Sequence, residues 1–142
     1  MIEISSLYKK FGKVEVLKSL DLDISEGGIF AVLGPNGSGK TTLIKSILGM
    51  VVPNKGEIKI AGKNVVKEYE YRRNINYLPQ IANFPGNLSV LELITMIKDV
   101  RGKEARDLEL IEMFGLQPYL KQKLGHLSGG TKQKVNIVLA FM

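Results

Sequence analysis

The segment Gly34-Pro35-Asn36-Gly37-Ser38-Gly39-Lys40-Thr41 satisfies the pattern G-x-x-x-x-G-K-[ST] in full, and it narrows the folds open to this chain more than any other feature. Glycines let a backbone wrap closely and turn its N–H groups inward onto the oxygens of an anion. A helix that starts directly after such a loop sets the positive end of its dipole under that anion. Lys40 then supplies a point charge for terminal phosphates, and Thr41 a hydroxyl for Mg²⁺. The flanking sequence suits this reading. Residues 29–33, Ile-Phe-Ala-Val-Leu, form a continuous apolar run that predicts a strand buried on both faces. Residues 41–50 carry Leu43, Ile44, Ile47 and Leu48 at helical spacing, with Gly49 near the end.

Around this centre the first half of the chain reads as short strands. Residues 2–7, 14–17 and 20–24 are strand-like, and Leu20, Leu22 and Ile24 alternate with Asp21 and Asp23. Such alternation leaves one wet face, as in an antiparallel sheet. Gly27-Gly28 breaks the chain before the apolar run. Further strands are predicted at 56–60, 64–66 and 75–78, the last ending at Pro79.

Beyond Pro79 the pattern turns helical. Ser89 followed by Glu92 makes a capping box, and Val90, Leu93, Ile94, Ile97 and Val100 form an apolar stripe that stops at Gly102. Residues 103–114 predict a second amphipathic helix closed by Gly115. A third helix begins after Ser128 and runs toward Met142. Its entry, Leu127-Ser128-Gly129-Gly130-Thr131-Lys132-Gln133, is explained at its blandest as an N-cap with two flexible glycines. A helix N-terminus with small residues and a free hydroxyl is also a second anion site. Capping alone accounts poorly for two such sites in one chain.

Composition excludes several chemistries. There are no cysteines, so disulfides, thiolate metal sites and cysteine nucleophiles are ruled out. No stretch approaches the roughly 18 consecutive apolar residues of a membrane span, and the first residues do not read as a signal peptide. A cytosolic location fits. The formal net charge is +6, from 20 Lys and Arg against 14 Asp and Glu, but the two signs are mixed along the chain. That mixing argues against a nucleic-acid surface, and the excess suits a protein that holds a polyphosphate.

Taken together, the motifs closely resemble those of the ATP-binding-cassette (ABC) ATPase family. Residues 34–42 resemble its Walker A, Gln80 in Tyr77-Leu78-Pro79-Gln80 its Q-loop, and residues 127–133 its signature. The resemblance spans essentially the whole chain, with three motifs in order. It implies an α/β fold of the P-loop NTPase type: a mixed core sheet, an antiparallel β subdomain, and a helical subdomain bracketed by Gln80 and the signature. Residues 1–80 would hold the core half and the β subdomain, and residues 81–142 the helical subdomain.

The resemblance also implies roles. The backbone of Gly34, Pro35, Asn36, Gly37, Ser38 and Gly39, with Lys40, would hold the phosphates of ATP. Thr41 would ligate Mg²⁺, and Thr42 would assist at the α-phosphate. Gln80 would touch the metal or the attacking water and move with the transporter contact. Phe11, before Gly12, resembles the adenine-stacking aromatic, with Tyr8 as the competing candidate. Ser128, Gly129 and Gly130 would act in trans on a partner's ATP in a head-to-tail dimer. Thr131 stands where many members have Gln, and His126 is read as a loop residue without catalytic duty.

The family's Walker B strand, with a metal-binding Asp and a catalytic Glu, follows the signature helix, and a switch histidine lies beyond it. No Asp or Glu follows Glu112 here, and the chain ends at Met142 without a stop signal. It therefore reads as cut before Walker B, able to bind nucleotide but not to turn it over. The strands at 29–33 and 75–78 would then lack their neighbours, and contacts between chains or local rearrangement around the loop are expected.

Three functions compete. The first is the energy-coupling subunit of a transporter, peripheral on the cytoplasmic face of the membrane, with a membrane permease as partner. The second is an ABC ATPase acting on nucleic acid or ribosomes, although the short spacing from Gln80 to Leu127 leaves no room for a long coiled coil. The third is another P-loop kinase or GTPase, which Gln80 and the signature disfavour. Residues 33–37 and 53–58 resemble stand-alone subunits paired with exporter-type permeases, including those serving haem export or nitrous-oxide-reductase maturation.

Overall fold

The structure, a computed structural model, describes residues 1–101 and 106–142. It divides into two compact units, Met1–Ile75 and Asn76–Met142. In the first, β1 (Ile2–Phe11), β2 (Val14–Ile24), β3 (Lys55–Ile60) and β4 (Lys63–Asn64) form one antiparallel sheet in the order β2-β1-β3-β4. Helix α1 (Lys40–Ile47) and a 3₁₀ turn, Glu70–Asn74, complete it.

The sheet is more continuous than the sequence suggests. Residues 14–17 and 20–24 belong to the single strand β2, which passes through a bulge at Ser19, where φ is 55°. Opposite it, β1 bulges at Ser6, whose amide donates to Asp21 Oδ1 at 2.6 Å. A bulge inserts an unpaired residue without ending the strand, so Ile4↔Leu22 gives way to Leu7↔Leu20. Ile4, Leu7, Leu17 and Ile58 are buried on one face, together with Leu43 of α1, Val65 and Tyr71. Each such side chain contributes roughly 1.5–3 kcal/mol on full burial.

Two predicted strands do not form. Residues 29–33 lie outside any strand, with Ile29 and Leu33 almost wholly exposed and Phe30 and Val32 about half so. Residues 75–78 are likewise outside any strand, and Tyr77 and Leu78 are exposed. The physical reason is pairing: a strand's N–H and C=O groups need a neighbour, and every ladder among the described residues is antiparallel and excludes both runs. The core sheet is thus incomplete, as the fold class anticipates, and among the described residues the antiparallel sheet carries the β structure.

The second unit is helical. It comprises α2 (Val90–Arg101), α3 (Asp107–Met113) and α4 (Gly129–Phe141), with 3₁₀ turns at Gln117–Tyr119 and Leu124–His126. The predicted stop at Gly102 and the start of the helix predicted at 103–114 fall outside the described residues. Helix α4 packs on both α2 and α3, and Val90, Leu93, Ile94, Leu110, Leu116, Leu124, Val135 and Val138 close a core of their own. Ser89 caps α2 as predicted. Its amide and hydroxyl donate to Glu92 Oε2 at 2.7 and 2.8 Å, and Glu92 N returns to Ser89 Oγ at 3.2 Å. The Ser89 amide, then its hydroxyl, hold the Glu92 carboxyl below the usual carboxylate range.

The two kinds of apolar residue separate experimentally. In urea denaturation, Leu7→Ala should lower the unfolding free energy by about 2–5 kcal/mol, because Leu7 is wholly buried. Ile29→Asn should change it by no more than about 0.5 kcal/mol. A loss at Ile29 comparable to that at Leu7 would place residue 29 in a core.

Candidate functional site

Helix α1 begins at Lys40, and its N-cap is Gly39, with φ at 93°. Two constraints demand glycine there. The backbone is left-handed, and an added Cβ would meet Val16 O at 3.0 Å and the Val16 and Leu17 side chains of β2 at 3.2 and 3.1 Å. The loop thus lies directly against the sheet. Having no side chain, Gly39 cannot cap the helix, and no side-chain cap bond is made. The first-turn amides of Lys40, Thr41 and Thr42 have no carbonyl inside the helix to bond. The first helical bond runs from Leu43 N to Gly39 O at 2.8 Å.

Upstream, Ser38 N donates to Pro35 O at 3.2 Å and closes a turn through Asn36 and Gly37. The Lys40 ammonium folds back over this turn, donating to Gly34 O at 2.7 Å and Pro35 O at 2.8 Å. Thr41 is exposed and Thr42 half-buried, and no residue from 34 to 42 is acidic. Uncapped amides, a helix dipole and a lysine ammonium are the donor set for a phosphate chain. To reach one, Lys40 has to exchange two loop carbonyls for phosphate oxygens.

Phe11 and Tyr8 both lie on β1 in this unit. Phe11 is about half exposed at the end of the hairpin, with the Lys9 ammonium 5.0 Å from its ring centroid. Lys9 Nζ also donates to Val52 O at 2.6 Å. Tyr8 is engaged otherwise: its hydroxyl donates to Glu15 Oε1 at 2.6 Å. The Glu15 carboxylate accepting that proton raises the phenol above its usual pKa. Of the two aromatics, Phe11 has the freer ring.

Gln80, Ser128, Gly129 and Gly130 lie in the second unit and are exposed. Gln80 sits in a bend. Ser128 is the N-cap of α4, where its Oγ accepts from Thr131 N at 3.2 Å and lies 2.9 Å from Thr131 Oγ1. Thr131 therefore engages the Ser128 hydroxyl on two atoms, a role its place in the motif did not reveal. His126 is exposed in a 3₁₀ turn. The sequence reading also passed over Asn136. It is buried on α4, and its Nδ2 donates to Pro79 O at 3.0 Å, next to Gln80. Its signal was a lone amide between Val135 and Val138 on an apolar face.

Comparison with known proteins fits this geometry. A family model described as "ABC transporter" matches residues 17–142. The bacitracin transport ATP-binding protein of Bacillus licheniformis is 34% identical, over 100% of this chain and 47% of its own length. The lipoprotein-releasing system ATP-binding protein of Bacteroides fragilis is also 34% identical, over 100% of this chain and 71% of its own. Against several such relatives the chain spans only about half of their length or less.

Solved structures agree. An ATP-binding subunit of an ABC transporter superposes with a TM-score of 0.84 at 31% identity, covering 98% of this chain and 60% of that one. A dimeric ATP-binding cassette in a post-hydrolysis state, bound to ADP and Pi, superposes with a TM-score of 0.83 at 28% identity, covering 99% and 68%. The chain belongs to the ABC transporter family and carries the fold of its ATP-binding domain.

Proposed function

We propose that this chain is the nucleotide-binding part of an ABC transporter's energy-coupling subunit, on the cytoplasmic face of a membrane beside a permease. The observation that carries the reading is the first turn of α1, uncapped at Gly39 and overhung by the Lys40 ammonium. The phosphates of ATP would lie on the amides of residues 37–42, with Lys40 swung onto the terminal ones. Mg²⁺ would be held by Thr41 and the nucleotide's own oxygens, with Gln80 contributing at the metal or the attacking water. Among the described residues no cluster of three His, Asp or Glu offers an alternative metal site. Phe11 would stack on the adenine.

The dimeric relative supports a dimer, and in a head-to-tail one Ser128, Gly129 and Gly130 would complete a partner's site. The relatives, which serve bacitracin transport, lipoprotein release and methionine import, support transport over an ATPase acting on nucleic acid. Among the described residues no helix is long and apolar enough to cross a membrane, so the membrane pathway would belong to the permease. The permease would then also choose the cargo. When ATP is bound, water attack on its terminal phosphate is the chemistry it supplies. This chain's residues bind, orient and neutralise charge.

Two outcomes are expected. By isothermal titration, Lys40→Ala should weaken ATP binding far more than Phe11→Ala, because it removes the cation on the phosphates. Equal losses, or none at Lys40, would count against the phosphate-led site. In a phosphate-release assay the 142-residue chain should show no turnover, since no acidic residue follows Glu112 to position or activate water. Turnover abolished by Lys40→Ala would overturn this, whereas turnover indifferent to that change would come from a contaminant.

A further inference from the structure

Arg72 closes the end of α1 opposite the phosphate loop. Its Nη2 donates to the Gly49 carbonyl at 3.1 Å and its Nε to Tyr71 Oη at 3.4 Å, with the guanidinium 5.8 Å from the Tyr71 ring centroid. Tyr71 is itself buried in the core between sheet and helix. The helix end is shaped for this contact. Gly49, just past the C-cap Leu48, takes φ at 66°, and its N–H returns to Ser46 O at 3.0 Å. An added Cβ at Gly49 would collide with both Arg72 Nη2 and Tyr71 Oη. A cation placed here also lies at the negative end of the α1 dipole.

We infer that Arg72 is a positioning residue for the nucleotide site, acting through α1 rather than by touching the loop. The helix has eight residues, a rod of about 12 Å. One end is held by Arg72 and Tyr71 at Gly49, the other by Gly39 against Val16 and Leu17. Rotation at the far end displaces the first-turn amides and Lys40. The segment before the loop gives little support, because residues 29–33 are unpaired and exposed. The aim of the loop therefore rests on how α1 is docked, and among the described residues Arg72 is the charged side chain bonded to that helix's exit. This inference rests on the nucleotide reading of the loop.

The test uses the ¹⁵N-labelled chain with Arg72→Ala, Arg72→Lys and Lys40→Ala, at a temperature where circular dichroism shows each folded. ATP affinity is measured by titration, and the amide resonances of Gly37, Gly39, Lys40 and Thr41 are recorded without nucleotide. Arg72→Ala should weaken ATP binding about three- to tenfold and shift the loop resonances. Arg72→Lys, which keeps the charge, should recover part of both. A purely structural role would lower the melting temperature but leave the loop resonances in place, with ATP affinity within about twofold of the parent; that result overturns the inference. If Arg72→Ala fails to fold, Arg72→Lys carries the same test with smaller shifts, and unmoved resonances overturn it equally. ATP binding unchanged in Lys40→Ala would sink the nucleotide reading instead, and the loop resonances would still decide whether Arg72 aims the loop.

Discussion

The contact between Gly39 and the Val16–Leu17 stretch of β2 places the loop of residues 34–39, because no side chain intervenes between helix entry and strand. Leu43, one turn along α1, is buried in the same core as Leu17, Ile4 and Leu7, so hydrophobic burial holds the helix on the sheet while the glycine sets its closeness. Everything chemical in the first unit follows from that docking. The first-turn amides are left without a side-chain cap, and Lys40 bonds the Gly34 and Pro35 carbonyls. The Ser46 hydroxyl, buried on the inner side, bonds back to Thr42 O at 2.8 Å and leaves no polar group stranded.

The second unit reaches a comparable result by different means. Its helices close their own apolar core, and their entries are fixed by hydroxyl caps at Ser89 and Ser128. The two caps differ in what remains free. Ser89 is locked reciprocally to Glu92, whereas Ser128 shares its hydroxyl with Thr131, leaving the Gly129 and Gly130 backbone exposed at the helix entry. Asn136 then anchors that same helix to the carbonyl beside Gln80. One helix thus carries Ser128, Gly129 and Gly130 at its start and the anchor of the Gln80 segment two turns later.

Local chemistry was legible in the sequence, and pairing in part: the runs at 29–33 and 75–78 were expected to lack neighbours, and both lie outside any strand. The helix after residues 34–39, the Ser89–Glu92 box and the Ser128 cap each depend on residues a few positions apart, and these take the predicted local form. The run at 29–33 has the composition of a doubly buried strand, yet composition does not supply the neighbours a strand needs. The separate segments predicted at 14–17 and 20–24 err in the opposite sense, because a bulge at Ser19 carries one strand, β2, through both. Lys9 beside Phe11 and Asn136 beside Pro79 depend on contacts that no motif encodes, although alternation along β1 does put Lys9 and Phe11 on one face.

The proposed phosphate site is the first turn of α1, docked on an antiparallel sheet beside an unpaired 29–33 run. Amide hydrogen exchange, with and without an ATP analogue, is the decisive measurement. Strong protection is expected in β1 at Ile4 and Leu7, with rapid exchange across residues 29–33. Added nucleotide should bring new protection at residues 37–42. Residues 29–33 protected as strongly as β1 before nucleotide is added, or residues 37–42 left unprotected by saturating nucleotide, would contradict it.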